Sequence, residues 1–161
     1  MRAIKLRLTP ESADEAIREV EAYRDEVVQI VRELGETLVK NGVEYAKAKI
    51  MAYDAVETGE LLGSIDGFFD PVTGRGFIKT TNNHAAFVEF GTGIVGATNR
   101  SHEPKPFEWQ HDSHNHGDYG WVYGKDYRRW TKGMPPRPFM WDTWQMMCED
   151  ASEMMRSKFN G

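Results

Sequence analysis

The segment Val56-Glu57-Thr58-Gly59-Glu60-Leu61-Leu62-Gly63-Ser64-Ile65 marks the place where the chain changes period. Upstream of it, Ile17, Val20, Val27, Val31, Leu34 and Leu38 recur at spacings of three, four and seven, with Arg24 in the missing place. That period predicts a long amphipathic helix whose apolar stripe lies on a sheet of its own chain. Thr9-Pro10-Glu11-Ser12 reads as its start, with proline just inside and a carboxylate in the first turn. Gly35 and Asn41-Gly42 predict a kink or break near residue 42, with helix resuming through Tyr45, Ala46, Lys49 and Ile50 to about Tyr53. A coiled coil is the alternative, but the near-heptad run is short and Arg24 falls on its seam. Ahead of the helix, Ile4, Leu6 and Leu8 alternate with Lys5 and Arg7 as in a half-buried strand.

Downstream, Ile65, Phe68 and Phe69 lead into the turn-rich Asp70-Pro71-Val72-Thr73-Gly74-Arg75-Gly76, and Phe77-Ile78-Lys79-Thr80-Thr81 returns as a second strand. These two runs predict a hairpin. Asn82-Asn83 marks a turn, and Ala85 to Phe90 reads as a short third strand. From Gly91 to about Gly120 apolar periodicity is lost, which predicts a long irregular loop at about 93–120; Trp121-Val122-Tyr123 follows as a fourth strand. Pro135 to Pro138 brake the chain before a final helix with Phe139, Met140, Trp144, Met147, Ala151 and Met155 on one face.

With 161 residues the chain is expected to form a single domain over 1–161. Twenty-five acidic residues against twenty basic ones give a formal charge of −5, which disfavours DNA binding through bulk charge. The one cysteine, Cys148, forms no internal disulfide and is expected to be a small buried residue of the last helix. No apolar run approaches membrane-spanning length and the first residues lack a signal-peptide core, so a bacterial cytoplasm is the expected place of synthesis.

Catalytic signals are weak. His111-Asp112-Ser113-His114-Asn115-His116-Gly117-Asp118 offers His111, His114, His116 and Asp118 as candidate metal ligands. Most of the His-x-His-x-Asp-His signature of metallo-β-lactamase-like hydrolases is there, but Tyr119 stands in its last place. A zinc site also wants ligands on rigid elements, so a solvated loop without metal or other cofactor is the simpler expectation. Ser64 has no histidine near it in sequence, and Gly91-Thr92-Gly93 lacks the Gly-Lys-Ser/Thr continuation of a phosphate loop. Glu57, Glu60 and Glu89 read as solvated or interface charges. Trp121, Tyr123, Tyr127 and Trp130 interleave with Lys125, Arg128, Arg129 and Lys132, a pattern for a loop anchor or protein interface, or for stacking single-stranded bases.

Three motifs in a fixed order carry a resemblance. Thr58, Gly59, Leu61, Ser64 and Ile65 match an Ala-Pro-x-Asp-Thr-Gly-x-Leu-x-x-Ser-Ile pattern; Ala86, Val88, Glu89, Phe90, Gly91 and Thr92 match Tyr-Ala-x-x-Val-Glu-Phe-Gly-Thr; Pro138 and Phe139 close a Pro-x-Pro-Phe. The chain thereby resembles the tail-component family of tailed phages typified by gene product ten of the phage Hong Kong 97, also described as neck, head–tail joining or tail-completion proteins. It departs from that pattern at Ala55-Val56, where proline is usual, at Glu57, where aspartate is usual, and at His84-Ala85, where tyrosine-alanine is usual. The resemblance implies an α+β fold: a small antiparallel sheet, a long amphipathic helix across it and a C-terminal helix. It implies a non-enzymatic virion protein, a subunit of a homo-oligomeric ring such as a hexamer, in the virion neck or tail beside head-completion and tail proteins, with DNA passing through and no sequence-specific recognition. Thr58 is expected to cap amides, Gly59 and Gly91 to take positive φ, Gly93 to sharpen the turn, and Glu89 and Thr92 to face a neighbour. Pro138 is expected to stiffen the start of the last helix and Phe139 to anchor it. The alternatives are a metal-dependent hydrolase or nuclease using the cluster from His111 to Asp118, and a single-stranded nucleic-acid-binding module.

Overall fold

A computed structural model describes residues 9–98, 102, 119–123 and 128–159. Thr9 caps helix α1 (Pro10–Ala52), its hydroxyl accepting from the Ser12 N–H at 3.3 Å, and Pro10 occupies the first turn. The break expected near residue 42 does not occur: α1 runs through both glycines. Packing outweighs propensity there. A Cβ on Gly42 would stand 2.5 Å from the Met147 sulfur, and one on Gly35 would stand 2.5 Å from Phe69 Cζ. The missing side chains admit the neighbouring elements, which offsets the roughly 1 kcal/mol that a mid-helix glycine costs.

The apolar stripe is covered over only part of its length. Leu34, Val39, Ala46 and Ile50 are buried, whereas Ile17 (56% exposed), Val20 (53%) and Val31 (43%) are not. Phe69 of the hairpin lies on Gly35, and Leu34 shares a groove with Met154 and Ser157 near the end of the last helix. The first half of α1 is thus more exposed than the second.

After α1 comes the short helix α2 (Glu60–Gly63), then the expected hairpin: β1 (Ile65–Asp70) and β2 (Arg75–Thr80), antiparallel with Ile65 opposite Thr80 and Asp70 opposite Arg75. Its inner face lies on α1, where a Cβ on Gly67 would stand 2.7 Å from Val39. The expected third strand is a helix, α3 (Ala85–Phe90). The Asn82 side chain accepts from the His84 N–H at 2.8 Å and the Asn82 carbonyl from Ala85 N–H at 3.1 Å, so the turn residues open a helix. Ala85, Val88 and Glu89 are buried at helical spacing, a pattern that six residues are too few to separate from a buried strand.

The start of the expected loop is also helical, α4 (Gly93–Thr98). The fourth strand is present as β3 (Trp121–Tyr123), paired with β4 (Arg129–Thr131), and β5 (Gly133–Met134) bridges to Thr92 and Gly93. Helix α5 (Phe139–Phe159) runs antiparallel to α1. Asp142 Oδ2 accepts from Lys49 Nζ at 3.0 Å and from the Tyr53 hydroxyl at 2.7 Å, and Asp150 accepts from Asn41 and Tyr45. On α5, Phe139 and Thr143 are buried, but Trp144 and Met155 are exposed, so the inward face is narrower than its spacing predicts. Cys148 is exposed, contrary to expectation. The fold is thus α+β, with the long helix across a strand pair and the C-terminal helix alongside it. The strand expected over Ile4–Leu8 lies outside the described residues.

Candidate functional site

The three sequence motifs meet in one place. Leu61 and Ile65 from the first, Ala85 and Val88 from the second and Phe139 from the third form a single buried cluster with Ala46 and Ile50 of α1. Each motif supplies its own turn chemistry. Gly59 takes φ +79°, and the Thr58 hydroxyl lies 3.4 Å from the Glu60 N–H, where it accepts. The Ser64 and Thr80 hydroxyls are 2.6 Å apart, which closes the open end of the hairpin. Gly91 takes φ +75° and ψ 176°, a region reserved for glycine, and a Cβ there would stand 2.7 Å from both Met134 O and Pro136 N. Gly93 also has positive φ and lies against Lys132 and Trp121. The Thr92 hydroxyl, half-buried, accepts from the Met134 N–H at 3.1 Å, tying the second motif to the third.

Glu89 overturns the surface expectation most clearly. It is only 5% exposed. Its Oε2 accepts from the Met140 N–H and its Oε1 from the Trp141 N–H, each at 2.9 Å, and Oε1 is also 2.9 Å from His102 Nε2. The first bond within α5 runs from the Asp142 N–H to the Pro138 carbonyl, which makes Pro138 the capping residue. Proline has no side-chain acceptor, so the next amides need one from elsewhere. Glu89 reaches across from α3 to serve them, and its charge sits favourably at the positive end of the helix. A further bond, from the Arg137 N–H to the Val88 carbonyl at 2.8 Å, pins the same junction.

Beside this clamp the fold forms a groove of about 590 Å³, lined among others by Asn82, Ala86, Phe90, His102, Trp141 and Trp144. The His102 ring is 4.7 Å from that of Phe90 and 5.4 Å from that of Trp141, whose ring is tilted against that of Trp144 at 5.2 Å. Sequence reading missed His102, Trp141 and Asp142. His102 carries no local signal at all, whereas Asp142 could have been found as an acid in the first turn of a helix. Burial and its bond to Asp142 push the Tyr53 hydroxyl up to about 12.

Among the described residues no group of three histidine, cysteine, aspartate or glutamate side chains is placed to hold a metal. The candidates His111, His114, His116 and Asp118 lie outside those residues, as do Lys125 and Tyr127 of the aromatic–basic patch. Of that patch, Trp130 is exposed with Lys132 Nζ 5.7 Å from its ring centre, and Tyr123 is exposed opposite Arg129. No described helix is long and apolar enough to cross a membrane. Comparison with protein-family profiles, curated proteins and solved structures finds no match to this chain.

Proposed function

We propose that this chain is a structural subunit of a tailed phage or prophage, acting at the head–tail junction as a member of a closed ring. The observation that carries this reading is the convergence of the three motifs on one buried junction. Their polar members are used internally: Glu89 and Thr92 lock backbone to backbone, and Ser64 closes a hairpin. Such a pattern builds a stiff frame that holds outer surfaces in a set relation, which is what a ring subunit needs. The exposed apolar residues Ile17, Val20 and Val31 of α1 add support, since contiguous exposed apolar surface marks interaction sites.

The test is genetic and physical. A phage lacking the gene should accumulate separate heads and tails, and the purified protein should form a closed ring of defined mass. Normal joining without the gene product would remove the reading.

A further inference from the structure

The outer face of the β1–β2 hairpin has an order that the internal frame does not use. Strand β1 presents Asp66, Phe68 and Asp70 outward; strand β2 presents Arg75, Phe77 and Lys79, each directly opposite its counterpart. The two phenylalanines are about half exposed, at 52% and 48%, with their rings 5.6 Å apart. The charges are segregated by strand, acidic on β1 and basic on β2. Asp66 Oδ1 accepts from the adjacent Gly67 N–H at 2.8 Å, and Asp70 is held by the Val72 N–H and the Thr73 hydroxyl of the turn. Among the described residues the sheet has only these two strands, and no backbone hydrogen bond joins either outer edge to another element.

We propose that this hairpin docks a second copy of the chain head to tail, the acidic β1 edge of one subunit meeting the basic β2 edge of the next. Charged edge residues normally keep sheets apart. Here, because the signs are sorted by strand, only like edges repel. A two-fold contact would set Asp66 against Asp66 or Lys79 against Lys79, and like charges opposite one another destabilise a strand pair. The unlike pairing is heterologous, the kind of contact that closes into a ring when its rotation allows. Rotational symmetry also gives every β1 the same direction, so β1 of one subunit would run antiparallel to β2 of the next, as within the hairpin itself. The paired phenylalanines would then continue as one apolar row across subunits. This inference rests on the ring-subunit reading and names its contact.

The test uses full-length protein and two charge reversals, Asp66→Lys and Lys79→Glu, each checked for a parental far-UV spectrum and melting curve. Light scattering at low salt should give an oligomer for the parent and loss of that mass for either variant alone. An equimolar mixture should regain it, because each variant then supplies the edge that the other lacks; a merely intramolecular Asp66–Lys79 pairing would not be restored by mixing. If either folded variant keeps the parental mass, or the mixture stays dissociated, the edge contact is wrong while a ring built through another surface stands. A parent that remains monomeric would defeat both the contact and self-assembly. Should a charge variant fail to fold, single-cysteine forms in a Cys148→Ser background decide the matter: Phe68→Cys and Phe77→Cys should give a covalent dimer when mixed and oxidised. A dimer forming equally from Phe68→Cys alone would overturn the head-to-tail arrangement.

Discussion

Replacing Glu89 should damage folding far more than a glutamate in a short polar-looking motif suggests. Glu89→Ala removes the acceptor for two amides in the first turn of α5 and for His102. Each buried donor left without a partner costs about 1–3 kcal/mol, and two amides and the His102 contact lose theirs together. Because these contributions overlap, about 3–5 kcal/mol is expected in total. For a chain of this length each 1 kcal/mol moves the midpoint by about 2–4 °C, so Glu89→Ala should melt roughly 6–20 °C below the parent. Glu89→Gln keeps the shape but offers one acceptor oxygen and turns an NH₂ group toward donors, for an expected loss of about 2 kcal/mol. Thermal and urea unfolding followed by circular dichroism measure both. An exposed glutamate would contribute below about 1 kcal/mol. A Glu89→Ala variant melting within about 2 °C of the parent would therefore refute the clamp.

Gly59→Ala meets open space and should lose about 1 kcal/mol through its positive φ alone. Gly91→Ala adds a clash with Met134 and Pro136 to a similar φ, so its loss should be clearly larger; equal melting of the two variants would show the Gly91 turn to be misplaced. Tyr53 has its folded pKa raised from 10.0 to about 12, so its contribution is complete below pH 10 and is lost as pH rises through about 12. Alkaline unfolding should thus steepen over that window in the parent and flatten in Tyr53→Phe. Pro138→Ser supplies α5 with its own cap and should recover about 1 kcal/mol in a Glu89→Gln background while helping the parent little. Strict additivity in that double-mutant cycle would count against Glu89 as the cap of α5.

What could be read from the sequence was local. The start of α1 was legible because Thr9 and Pro10 act on their own neighbours, and the hairpin because Asp70 to Gly76 is a strong turn signal between two alternating runs. The glycines of α1 were misleading for a tertiary reason: Gly35 and Gly42 are sites of close approach by Phe69, Ile78 and Met147, and nothing in the helix itself announces those partners. The segment Ala85–Phe90 is too short for its period to separate strand from helix, and the deciding bonds came from Asn82. Cys148 failed because a residue's average burial says little about its position on one face of α5. Most of the candidate site was invisible, since His102 meets Glu89 only through the fold.

The Glu89 clamp nevertheless follows from a question that the sequence does pose. A helix opened by Pro135-Pro136-Arg137-Pro138 has a stiff start and no serine, threonine, aspartate or asparagine to cap it. Its first amides must be satisfied by some other part of the chain, or they stay buried and unpaired at a cost of about 1–3 kcal/mol each. An acidic residue in an otherwise apolar segment, Ala85-Ala86-Phe87-Val88-Glu89-Phe90, is the natural source, because burying that carboxylate is tolerable only where several donors surround it. Each motif therefore makes the other possible: the proline-rich lead-in needs a distant acceptor, and the buried acid needs a helix start. The same logic places Gly91 just after Glu89, where only a residue without a side chain lets the backbone at Met134 and Pro136 come near enough for the carboxylate to reach α5. Two short motifs some fifty positions apart thus act as one mechanical unit.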